Sequence, residues 1–131
     1  MRAVLLWVCL SLPGLAHAHP GLSADVERLT GQLEASPSAP LFLQRAAMLR
    51  QLERFDDAVA DVERARAAGA ATADWRLERG LIDAARGNRR AALEHLDAYF
   101  AAGWASTAAL DARAAVLAES GRLDEAALDL K

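Results

Sequence analysis

Apolar residues recur at helical spacing through most of the chain. Leu22, Val26, Leu29 and Leu33 stand four, three and four apart, which predicts one buried stripe on a helix ending near Ala35. Ser23 is placed to cap its start. Ser36-Pro37-Ser38-Ala39-Pro40 breaks the pattern, because proline cannot continue a helix and restrains the residue before it. Leu41, Phe42, Leu43, Ala46, Leu49 and Leu52 then form the apolar face of a second helix, with Pro40 in its first turn. After a turn at Glu53-Arg54-Phe55, Ala58, Val59, Val62, Ala65 and Ala68 outline a third helix. Asp56 and Asp57 suit its positive end, and Gly69 stops it in a left-handed cap.

The pattern then repeats. Trp75, Leu77, Gly80, Leu81 and Ala84 lie on the next predicted helix, which Thr72 or Ala73-Asp74 opens. Gly87 turns the chain, Ala91, Ala92, Leu93, Leu96, Tyr99 and Phe100 pack from the helix after it, and Gly103 closes that helix. With Ser106 or Thr107 as cap, Leu110, Ala114, Leu117 and Ala118 begin a third copy. Gly121 turns, and Leu123, Ala126, Ala127 and Leu130 start its second helix before the sequence ends at Lys131. Ala58, Ala92 and Ala126 stand 34 apart, as do Ala46, Gly80 and Ala114. A fixed period near 34 with helical patterning is the signature of stacked helix pairs. The small columns mark close approach between helices, where a larger side chain would overpack.

Composition supports an all-α reading: hydrophobic residues make up 53% of the 131, much of it alanine, while aromatics are 5%. The net charge of -3 gives no broad cationic field for nucleic acid or an anionic membrane.

Residues 1–18 differ from the rest. Arg2, an apolar run over Ala3–Leu12, the break Pro13-Gly14, and Ala16-His17-Ala18 have the layout of a secretory signal peptide cut between Ala18 and His19. A cut after Ala16 is the alternative. The run is short for a membrane span, so no membrane association is expected after cleavage. Cys9 is the only cysteine and falls inside this segment, so the mature chain holds together by packing alone. A periplasmic or secreted location follows. The division reads as a signal peptide at 1–18, an N-terminal helix and linker at 19–38, and repeats at 39–72, 73–106 and 107–131. The last repeat is incomplete; truncation or an edge that meets another molecule would account for that.

Chemistry is sparse. His17, His19 and His95 are the histidines, and His95 reads as a surface or half-buried helical residue. There is no HExxH, cysteine pair or phosphate-cradling glycine loop, and the serines stand at helix ends with no activating histidine. The chain is expected not to be an enzyme and to need no cofactor. One metal alternative exists: a mature N-terminal His19 offers an α-amine and an imidazole to copper, and a cut after Ala16 would place it third from the free amine. The column Arg45, Arg79 and Arg113 has two readings, structural pairing with acids on neighbouring helices or a basic ladder for an anionic ligand. Its place beside the small column favours the structural one.

These columns resemble the tetratricopeptide repeat family. Phe42, Ala46, Phe55, Ala58 and Ala65 match its pattern in the first repeat, Gly80, Gly87, Ala92 and Leu96 in the second, and Leu110, Ala114, Gly121, Leu123 and Ala126 in the third. Glu53 replaces a turn glycine, Arg89 a large apolar residue, and Ala70 and Trp104 stand where proline is common. The resemblance covers 39–131 and looks like an exported bacterial member. It implies an α-solenoid of antiparallel helix pairs, a right-handed superhelix, preceded here by one N-terminal helix. It also implies a concave groove that binds proteins or peptides. The groove would fall on Leu43, Ala47, Arg50 and Gln51, then Leu77, Leu81, Ala84 and Ala85, then Asp111, Ala115 and Glu119: apolar in the middle, basic at one end and acidic at the other. The lysines and asparagines of the family's carboxylate clamp are missing from these places, so chaperone tails are not the expected ligand. Self-association through the open last repeat is a further alternative.

Overall fold

The computed structural model describes residues 20–122, and everything structural below concerns them. The chain is all-helical: α1 Pro20–Ala35, α2 Ala39–Gln51, α3 Phe55–Ala67, α4 Thr72–Ala85, α5 Arg89–Ala101 and α6 Thr107–Glu119. The predicted signal peptide, its cut between Ala18 and His19, the copper alternative at His19, and the segment from Leu123 to Lys131 lie outside the described residues.

α1 buries Val26, Leu29 and Leu33, three members of the foreseen stripe. It starts earlier than its expected cap. Pro20 to Leu22 are already helical, and Ser23 lies inside the helix. Ser38 caps α2 by accepting from the Leu41 amide, Asn88 caps α5 through Ala91, and Ser106 caps α6 through Ala109. α3 and α4 have no side-chain cap.

The chain leaves α2, α4 and α6 with one geometry. The amides of Arg54, Asn88 and Arg122 each donate to the carbonyl five residues back, on Leu49, Asp83 and Leu117, at 2.9 Å. This wrap needs a left-handed residue just before the donor. Gly87 (φ 81°) and Gly121 (φ 77°) supply it, and in the first pair Glu53 does so at φ 58°. Among the described residues Glu53 is the one non-glycine with positive φ.

α2 packs on α3 and α4 on α5 as two hairpins, α1 lies against α2, and α6 lies against both α4 and α5. α2 touches α4 and α4 touches α6, so these three helices adjoin in succession. The small columns sit at the crossings: Ala46, Ala58 and Ala92 are fully buried, Gly80 is buried, and Ala114 is nearly so. Around them the first core gathers Val26, Leu49, Val62, Trp75 and Ile82, and the next gathers Leu96, Tyr99 and Ala109. Two expected inward positions, Ala68 and Ala118, are exposed, each in the last turn of a helix or just past it. The core instead takes Ile82, Ala109 and Val116, which the expected faces did not include.

Candidate functional site

The eleven expected groove positions all lie on α2, α4 and α6, and none is buried. Gln51, Ala85, Asp111, Ala115 and Glu119 are exposed. Leu43, Ala47, Arg50, Leu77, Leu81 and Ala84 are half-buried. Leu43 and Leu77 also pack against the two cores, so each is a contact of the fold as well as a candidate contact for a ligand. Helical geometry explains the coexistence. The small column Ala46, Gly80 and Ala114 turns one face of α2, α4 and α6 inward, and residues elsewhere around each helix face away from it.

Beside Leu43 a cleft of about 280 Å³ opens between the start of α2 and the α3–α4 connection. Ala39, Pro40, Leu43, Ala70 and Ala71 line it, with Asp74 contributing a carboxylate. It has room for one apolar side chain of a partner.

The electrostatics of the face differ from the expected gradient. Arg50 does not present an uncompensated positive end, because its Nε donates to Glu78 Oε1 at 2.7 Å across the α2–α4 junction. Burial pushes the Glu78 carboxyl above its ordinary range, opposed by the hydrogen bond from Arg50 and that guanidinium's charge. Glu78 escaped the sequence reading because the partner that draws it in stands on another helix, 28 residues away. At the other end Asp111 and Glu119 are exposed as expected, and Glu119 meets Arg89 of α5 at 3.3 Å.

The arginine column is engaged in structure, as its place beside the small column suggested. Arg45 clasps Asp61 with two bonds, Nε to Oδ2 at 2.6 Å and Nη2 to Oδ1 at 2.7 Å. That hydrogen bonding raises the Arg45 pKa further above its already high value, against the opposing effect of burial. Arg79 donates to Asp83 at 3.1 Å and reaches Glu63 at 3.5 Å, and Arg113 lies 2.9 Å from Asp97.

Among the described residues Asp61 and Asp83 are the fully buried acids, and neither was anticipated. Asp83 is met by Arg79 from the turn before it and by Arg86 Nη2 at 2.7 Å from the turn after, with His95 Nε2 4.0 Å away. The signal for Asp83 was present in the sequence, as an acid flanked by arginines four before and three after on an otherwise apolar stripe. His95 is half-buried, as expected, and its ring meets the edge of Trp75 at a centroid distance of 6.1 Å. Burial lowers its pKa, with the negative charge of Asp83 acting in the other direction.

Among the described residues no three His, Cys, Asp or Glu side chains converge as metal ligands, and no helix is long and apolar enough to cross a membrane. Compared with protein-family models, curated proteins and solved structures, the chain matches none.

Proposed function

We propose that this chain is an exported scaffold of the tetratricopeptide type that binds a protein or peptide along the face shared by α2, α4 and α6. On this reading the helix pairs stack as a right-handed solenoid and that face is its concave side. The observation that carries the reading is the adjacency of α2, α4 and α6 combined with the absence of burial at all eleven groove positions, five exposed and six half-buried. An apolar strip runs through Leu43, Ala47, Leu77, Leu81 and Ala84, and a folded chain leaves such a strip accessible mainly where it is used. With Arg50 held by Glu78, the ligand that fits is an apolar segment without a dominant acidic charge. The signal-peptide layout of residues 1–18 supports an encounter in the periplasm or outside the cell.

The test is a paired pull-down from the envelope of the exporting cell. The mature chain is compared with a Leu77→Glu, Leu81→Glu variant whose helicity is first confirmed by circular dichroism. A protein retained by the mature chain and lost from the folded variant supports the groove. Identical retention by both removes it.

A further inference from the structure

A second concavity, of about 180 Å³, opens between α1, α2 and α3, away from the face just described. Its polar lining is Thr30, Arg45, Arg54, Asp57, Asp61 and Arg64, and Val26 and Leu49 supply the apolar part. Three guanidinium groups against two carboxylates leave it one positive charge in excess. The arginines are not equally committed. Arg45 is the fixed one: it is locked on buried Asp61, and its Nη1 donates to Thr30 Oγ1 at 3.1 Å. Arg64 is 56% exposed and gives only Nη1 to Asp61, at 2.8 Å. Arg54 is 54% exposed and places both Nε and Nη2 on a single oxygen of Asp57, itself 59% exposed.

We propose that this pocket binds a small, doubly charged oxyanion, a phosphate or a dicarboxylate, with Arg54 and Arg64 as its two arms. Both oxygens of Asp61 already receive guanidinium N–H groups, which offsets their repulsion of an incoming anion. Arg54 and Arg64 keep N–H donors in the planar fork that matches a carboxylate or phosphate. The bond between Arg54 and Asp57 is an exposed one of the kind that contributes little to stability, so an anion carrying two charges can take Arg54 from it. Asp57 is then the competitor that an anion must displace.

The experiment is a titration of the full chain followed by amide and guanidinium NMR signals. Inorganic phosphate and succinate are added separately at constant ionic strength, with chloride as reference. Saturable shifts centred on Arg54, Asp57 and Arg64, with a Kd below about 1 mM for either anion, are expected. Saturation by phosphate alone assigns a phosphoryl ligand, and by succinate alone a dicarboxylate. The Arg54→Gln, Arg64→Gln variant should weaken binding about tenfold or more, and Asp57→Asn should tighten it. Shifts no different from chloride would overturn the proposal. So would unchanged affinity in a folded Arg54→Gln, Arg64→Gln variant. Binding by Asp57→Asn that is no tighter than that of the original chain would overturn it independently.

Discussion

Gly80 of α4 runs so close beneath Leu96 of α5 that a Cβ on the glycine would stand 2.8 Å from Leu96 Cδ2 and 2.9 Å from its Cγ. Leu96 is fully buried and has little room to retreat. In the same column α2 carries Ala46, and the position 34 before Leu96 is the smaller Val62. At Gly80 the missing side chain makes room for Leu96, and in the first copy the same two positions hold alanine and valine.

A paired substitution tests this fit. Gly80→Ala gains about 1 kcal/mol of helix propensity but meets an overpacking cost of about 1–3 kcal/mol, so a net loss of stability is expected. Adding Leu96→Val should recover most of that loss, although Leu96→Val alone destabilises. A double-mutant cycle by urea denaturation measures the coupling, and strict additivity would mean the two side chains do not share the space.

The neighbouring column gives a simpler contrast. Ala92 is fully buried and Ala101 exposed on the same helix. Ala92→Leu should cost about 1–3 kcal/mol and Ala101→Leu close to nothing. Equal thermal midpoints would contradict the helix crossing at Ala92.

Glu53 holds a left-handed conformation where the equivalent turns use Gly87 and Gly121. That conformation costs a side-chain-bearing residue about 1–2 kcal/mol, whereas a glycine adds about 0.4–1 kcal/mol of unfolded-state entropy. Glu53→Gly should therefore stabilise the chain by about 0.5–1 kcal/mol, read as a raised urea midpoint with unchanged slope.

Asp61 is wholly buried and Arg45 is its bidentate partner, whereas Arg64 touches it from a largely exposed position. Asp61→Ala strands the Arg45 charge and should cost about 3 kcal/mol. Arg64→Ala should cost about 0–1 kcal/mol. Similar losses would mean that the inner and outer arginines hold the carboxylate equally.

His95 supplies a pH dependence. Its folded pKa lies below the usual 6.5, mainly through burial. Between those two values the unfolded chain binds more protons than the folded one, so stability should fall as pH drops from 6.5 through the lowered pKa. Arg76, Arg79 and Glu94 also act on the ring, with Asp83 the chief opposing charge. His95→Gln should flatten this segment of the stability profile. Glu78 has the opposite sign. Its raised folded pKa means stability declines as pH rises from 4.5 through that value, and Glu78→Gln should remove the decline.

Helix positions, the 34-residue step and the small columns were legible in the sequence because they depend on local spacing. Apolar periodicity selects a helix face, glycine marks a turn, and alanine marks a crossing whatever stands across from it. The groove positions came from the family resemblance, and what the structure adds is that none of the eleven is buried. Glu53 shows a limit of such reading: its turn was foreseen, but its left-handed backbone is imposed by the wrap that closes α2.

What only the tertiary structure decided is which charges survive at the surface. Arg50 looked like a basic end of the groove until Glu78, 28 residues on, was found 2.7 Å from it. Asp61 drew no attention in the sequence, yet Arg45, 16 residues back, clasps it. An ion pair between helices depends on their separation and rotation, and the spacing along one helix carries no information about either. The sequence by itself determined where helices run and which faces are apolar. Their packing determined which charges cancel and where the arginine-lined pocket opens.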